Sequence, residues 1–167
     1  MPSSEAHNAV RVVHTGSAAE TIELGTQIGA LLCAGDVVLL TGDLGAGKTQ
    51  LAQGVGRALG VQENVISPTF NILLVHEGAD LKLNHWDLYR FEDPDDLIDV
   101  DYFAQVESDA VTLVEWGDKF EDTYLVADLE MRFVRLGDQE RRIDLTSLST
   151  RGKELLGEIF EARSSND

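Results

Sequence analysis

The residues best equipped for chemistry crowd into one stretch, GDLGAGKT, from Gly42 to Thr49. It fits Gly-x-x-x-x-Gly-Lys-Thr, the Walker A pattern. Glycines let backbone N–H groups turn inward and let the backbone approach bound oxygens. Lys48 offers a point charge to the outer phosphates of a nucleotide, and the Thr49 hydroxyl is suited to Mg²⁺. The pattern has meaning only between a strand and a helix. DVVLLT, Asp36 to Thr41, reads as a central parallel strand covered on both faces. A helix is expected from Lys48 to about Leu59, with Gly60 as its C-cap, and its N-terminal end adds a positive dipole to the site. A nucleoside triphosphate is the expected ligand. The chain has no Asn-Lys-x-Asp string of the kind that selects guanine, so ATP is expected over GTP.

Metal and water need carboxylates. Glu115 closes the apolar segment VTLVE, the usual place of a Walker B acid. Asp87 ends another strand-like segment, inside HWDLYR. Ligands of open α/β sheets sit at the carboxyl ends of the strands, which favours both acids over ordinary surface charges. His85 reads equally as a core histidine or as a neighbour of the phosphates. Trp116, next to Glu115, reads either as core or as an exposed docking residue.

The elements that must position these groups follow from patterning. VRVVHT, Val10 to Thr15, is a short strand, and Ser17 with Glu20 forms a capping box that opens a helix to about Leu32. NILLVHE and DLKLNHWDLY form a hairpin around GAD; DPDDLIDVDYF is a short helix; AVTLVEW is a buried strand. LEMRFVRL and RRIDL pair around GDQE, and SLSTRGKELLGEIFEA is a final helix before a frayed RSSND. Strands alternating with helices predict a single α/β domain, residues 10–162, between a flexible N-terminus, 1–9, and a flexible tail, 163–167. Its central sheet is expected to be mainly parallel, flanked by helices, with antiparallel hairpins.

Composition sets outer limits. The chain has 167 residues, 43% hydrophobic, enough for a substantial core. No stretch approaches the roughly 20 apolar residues of a membrane span, and MPSSEAHNAV lacks the charged and apolar regions of a signal peptide. The lone Cys33, in an apolar helical pattern, excludes a disulfide framework and is expected to be a buried small hydrophobe in a cytoplasmic protein. Thirty acidic residues against thirteen basic ones give a net charge of −17. Nucleic-acid binders depend on basic surface, so any nucleic acid in this protein's biology is expected to be held by a partner.

Taken in order, SAAET, GDLGAGKT, SPTF (Ser67 to Phe70), HWDLYRF (His85 to Phe91) and VEWGDK (Val114 to Lys119) closely resemble the bacterial TsaE (YjeE) family of P-loop ATPases, from about Val10 to Leu145. That family serves the synthesis of threonylcarbamoyladenosine beside the anticodon of tRNAs. The resemblance implies an ATP site formed by Gly42, Asp43, Leu44, Gly45, Ala46, Gly47, Lys48 and Thr49, with Gln50 and Trp116 against the nucleotide. It implies Mg²⁺ on Thr49 and Glu115, and catalytic roles for Lys48, Asp87 and Glu115, with Asp87 near the γ-phosphate or its water. SPTF would be a switch-like loop, with Ser67 and Thr69 as hydroxyl contacts. The implied partner is a TsaB–TsaD type heterodimer that carries the tRNA and performs the transfer, with no membrane involved. Ser17, Thr21 and Arg132 are candidates for contacts to the base.

Three positions depart from the family pattern: Gln50 where Thr or Ser is common, Gly117 where Pro is frequent after Glu-Trp, and His76 where Tyr is frequent. Two other classes compete. A small-molecule P-loop kinase usually carries an arginine-rich lid, and the only arginine cluster is Arg132, Arg135, Arg141 and Arg142, in a hairpin. A non-catalytic nucleotide-binding regulator has no need of two strand-end carboxylates.

Overall fold

The structure, a computed structural model, describes residues 9–68 and 70–166. Thr69 and residues 1–8, which include most of the expected flexible N-terminus, lie outside the described residues. Seven strands form one sheet in the order β1-β7-β6-β2-β5-β4-β3. They are β1 (Val10–Thr15), β2 (Val37–Gly42), β3 (Leu73–Glu77), β4 (Lys82–Asp87), β5 (Val111–Glu115), β6 (Leu129–Arg135) and β7 (Arg141–Ser147). The four central strands, β6, β2, β5 and β4, run parallel. The hairpins β3–β4 and β6–β7, and the strand pair β1–β7, are antiparallel. This is the mixed α/β sheet that the sequence predicts.

The unbroken apolar run of β2 is explained by two cores, one on each side of the sheet. Val38 and Leu40 face the first, filled by α1 (Ala18–Gly29), α2 (Lys48–Ala58) and α6 (Thr150–Ser164). Val37 and Leu39 face the second, filled by α3 (Asp95–Asp99), α4 (Tyr102–Val106), Phe120 and Trp86. A 3₁₀ turn at Gly117–Lys119 and α5 (Glu121–Tyr124) complete that side.

The capping box opens α1 as expected. The Glu20 N–H donates to the Ser17 hydroxyl at 3.1 Å, and the Glu20 carboxylate accepts from the Gly16 N–H at 2.6 Å. Helices α1 and α2 cross with backbones nearly touching. A Cβ on Gly54 would run into the Ile22 carbonyl, and one on Gly25 into the Leu51 carbonyl. Two glycines, one on each helix, thus set how closely α1 and α2 pack.

The structure corrects several boundaries. Helix α1 ends at Gly29, not near Leu32. Cys33 therefore leaves the helical face and is exposed, contrary to the buried hydrophobe expected. Its N–H donates to Asp36 at 2.7 Å, and its sulfur lies 3.5 Å from the Arg151 guanidinium, which also grips both oxygens of Asp36 at 3.0 Å. The expected helix DPDDLIDVDYF is two helices, α3 and α4, broken at Asp101, whose φ of 56° is left-handed. The final helix starts at Thr150, later than expected, and runs on through Arg163 and Ser164 of the supposed tail. Among the described residues, no helix is long and apolar enough to cross a membrane.

Candidate functional site

Strand β2 delivers the chain to Gly42, and α2 takes it up at Lys48. The turn between them demands glycine at two positions for different reasons. Gly42 has φ 126°, and a Cβ there would also strike the Phe133 carbonyl on β6. Gly47, directly before α2, has φ 109°, left-handed backbone that residues with side chains rarely adopt. The outer side of the loop is held from a distance. Arg141, on β7, donates to the Ala46 carbonyl at 2.9 Å and to the Gly45 carbonyl at 3.4 Å. The same guanidinium donates to the Gly137 and Glu140 carbonyls at 2.9 Å. One arginine therefore clamps the phosphate-binding loop to the β6–β7 hairpin.

Lys48 is buried at the head of α2. Its Nζ donates to the Gly42 carbonyl at 2.6 Å and lies 3.9 Å from the centroid of the Trp116 ring. Burial pushes its pKa down, against the pull of Glu115, Asp87, Asp118 and Asp43.

The two carboxylates end neighbouring parallel strands, and Asp87 and Glu115 are register partners. Both are buried, at 4% and 3% exposure. Asp87 accepts from the Tyr89 N–H at 2.8 Å and from the Ser67 hydroxyl at 3.2 Å. Ser67 opens the SPTF segment; Phe70, at its other end, is 81% exposed, with the Arg90 guanidinium 4.8 Å from its ring centroid. Glu115 is held from below: His85 Nε2 lies 2.8 Å from its Oε2. Immediately after Glu115 the chain turns out of the sheet at Trp116, with φ 61°. The Trp116 ring is half-buried and packs 5.2 Å from that of Tyr89, so it is neither plain core nor fully exposed.

These groups surround one cavity of about 360 Å³. Leu44, Gly45, Gly47, Lys48, Thr49 and Gln50 line one wall, and Ser67, Asp87, Tyr89, Glu115 and Trp116 the other. Gly42 and Asp43 lie instead beside a second hollow, with Asp118 and Arg132, and Ala46 is buried. A smaller hollow of about 130 Å³ opens past Gly47 and Gln50 toward Ala18, Thr21, Asp138 and Gln139. Of the candidate base contacts, Thr21 lines it, while Arg132 is beside the second hollow and the Ser17 hydroxyl caps α1.

The residues fit a phosphate chain with Mg²⁺. The loop supplies left-handed glycines, a lysine and a helix N-terminus. No group of three or more His, Cys, Asp or Glu side chains able to hold a metal occurs among the described residues. With Thr49, Asp87 and Glu115 lining the cavity, a cation here would draw its remaining ligands from phosphate and water, as Mg²⁺ does. Patterning alone missed Tyr89 as a wall of the cavity and Arg141 as a clamp. The Arg141 contact spans 95 residues, and no local signal announces it.

A central parallel sheet with a glycine-rich loop running from β2 into α2 defines a P-loop nucleotide-binding protein. The comparisons narrow the class. The family model for threonylcarbamoyl adenosine biosynthesis protein TsaE matches residues 15–143. The TsaE protein of Streptomyces coelicolor is 40% identical over 136 residues, covering 77% of this chain and 91% of that protein. That of Bacillus subtilis is 36% identical over 140 residues, covering 84% and 87%. The crystal structure of Bacillus subtilis YdiB superposes with a TM-score of 0.77 at 29% identity, covering 93% of this chain and 97% of that one. The chain belongs to the TsaE family of tRNA threonylcarbamoyladenosine biosynthesis proteins.

Proposed function

We propose that this protein is the Mg²⁺-dependent ATPase subunit of the machinery that makes threonylcarbamoyladenosine on tRNA, and that it drives the cycle of a TsaB–TsaD type heterodimer. The observation that carries the reading is the pairing of Asp87 and Glu115 at adjacent strand ends, in the same cavity as Lys48 and Thr49. One carboxylate would suffice to bind metal; two, with a lysine, suit hydrolysis.

In this reading the loop N–H groups and the N-terminal end of α2 hold the phosphates. Lys48 leaves the Gly42 carbonyl and the Trp116 ring for the outer phosphates, where anionic oxygens compensate its buried charge. Thr49 and Glu115 would hold Mg²⁺, which would supply neutralisation of the phosphate charge. Asp87, fixed by Tyr89 and Ser67, orients a water in line with the γ-phosphorus. The water oxygen bonds to that phosphorus, the bond to the bridging oxygen breaks, and ADP leaves with inorganic phosphate. The base enters the hollow beside Thr21 and Gln139.

Ser67 links Asp87 to the SPTF segment, whose Phe70 is exposed, so a change at Asp87 has a route to the surface. That supports docking of the ATP-bound form by the partner. The net charge of −17 supports leaving the tRNA to the partner. The kinase alternative lacks support: Arg141 clamps the loop, while Arg142 and Arg135 are ion-paired to Asp144 and Asp138 within the hairpin. The test is gel filtration with the heterodimer in ATP, ADP or a slowly hydrolysed ATP analogue, beside tRNA filter binding. Complex formation favoured by ATP, and negligible tRNA binding by the isolated chain, are expected. A complex indifferent to nucleotide, or tight tRNA binding by this chain alone, would contradict the reading.

A further inference from the structure

His85 has no task in the mechanism above, yet it is fully buried beside the site. It stands two residues before Asp87 on β4, on the sheet face that also carries Asp87 and Glu115. Its Nε2 lies 2.8 Å from Glu115 Oε2, and its Nδ1 meets no hydrogen-bond partner among the described residues. A histidine kept only as core would gain nothing from a nitrogen left unpaired; an apolar side chain would fill the space without that defect. What His85 supplies is the other nitrogen. A carboxylate accepts, so Nε2 carries the hydrogen, and a hydrogen on Nδ1 would be an unmade donor.

Glu115 needs such a partner. It is the last residue of β5, and the chain turns away at Trp116. Asp87, its register neighbour, is fixed by the Tyr89 N–H and the Ser67 hydroxyl. Among the described residues, the bond to His85 is the one hydrogen bond that the Glu115 side chain makes. Without it the long glutamate side chain is free to change rotamer inside the cavity.

We infer that His85 is the positioning residue of the metal-side carboxylate. Its Nε2–H holds one oxygen of Glu115 against the floor of the site and leaves the other for the cation. The inference rests on the assignment of Mg²⁺ to Glu115. Groups that orient metal ligands in this way typically alter metal affinity about 10–100-fold when removed.

The test is equilibrium binding of a fluorescent ATP analogue, first in EDTA and then through a Mg²⁺ titration. His85→Leu is expected to keep the EDTA affinity and to move the Mg²⁺ midpoint up by about 10-fold or more. His85→Gln, whose amide nitrogen reaches the place of Nε2, is expected to restore most of it. Loss of affinity in both variants alike, with or without Mg²⁺, would make His85 merely structural and overturn the inference. Glu115→Ala separates the two levels. If it moves the midpoint and His85→Leu does not, the inference alone fails; if Glu115→Ala leaves it unmoved, the metal assignment fails and takes the inference with it. Should His85→Leu not fold, nitrogen NMR of the unmodified protein decides. The Nε2–H form is expected, with a resonance that shifts when Mg²⁺ joins the bound analogue. The Nδ1–H form, or a resonance blind to Mg²⁺, would overturn the inference.

Discussion

Asp87 and Glu115 sit side by side on adjacent strands, equally buried, yet the surroundings that hold them differ. Asp87 is tied to chain that runs over the surface: the Tyr89 backbone and the SPTF loop through Ser67. Glu115 is tied inward, to a histidine with no exposed surface. Two acids of one charge and one depth are thus held to different parts of the molecule. In the proposed cycle the loop-held acid would follow a change in the nucleotide, while the core-held acid would keep its place.

The sharpest way to break this comparison is to remove each acid in turn. Asp87→Ala is expected to lower ATP hydrolysis by about 100-fold or more, the scale of a lost water-orienting group, with nucleotide affinity nearly unchanged. Glu115→Ala is expected to weaken Mg²⁺-dependent binding by about 10–100-fold while sparing binding in EDTA. Titration of a fluorescent ATP analogue measures both. If Asp87→Ala loses affinity as badly as Glu115→Ala, the two acids share one task.

A smaller effect should come from the far side of the phosphate loop. Arg141→Met removes the donors to the Ala46 and Gly45 carbonyls. Hydrogen bonds from a charged donor are worth about 1.5–3 kcal/mol, so nucleotide affinity should fall about 10-fold or more. The loss should be equal with and without Mg²⁺, unlike that of Glu115→Ala.

The smallest expected effect is on stability. Burial lowers the Lys48 pKa below its usual 10.5, so the folded state disfavours its charge. The unfolded chain then binds more protons between the lowered value and 10.5, and stability rises with pH across that window. Lys48→Met should melt higher than the unmodified protein at pH near 7, with the gap closing as pH climbs toward 10.5. Thermal melts of both proteins over that range check the sign. A gap that widens with pH would mean that the surrounding acids, and not burial, dominate the lysine.

What was legible in the sequence was local. The Walker pattern carries its own spacing, and the Ser17–Glu20 box spans four residues, so both survive without knowledge of the fold. The strand-end position of Asp87 and Glu115 was legible from apolar runs, but their side-by-side register was not, because it depends on how β4 and β5 align. The contacts of His85 with Glu115 and of Arg141 with Ala46 join residues 30 and 95 positions apart. Cys33 was misread because the apolar pattern runs on past Gly29, whereas α1 stops there. Asp101 was missed because a left-handed break inside an acidic helical pattern leaves no compositional mark.

The central claim is that Lys48 and Thr49 face the two acids as parts of one hydrolytic site. It is tested most directly by phosphate release from ATP, with Mg²⁺ and in EDTA, by the purified protein and by Lys48→Ala and Thr49→Ala. Slow release that requires Mg²⁺, rises when the TsaB–TsaD heterodimer is added, and vanishes in both variants is the predicted result. Release by either variant at the unmodified rate, or release that persists in EDTA, would contradict the account.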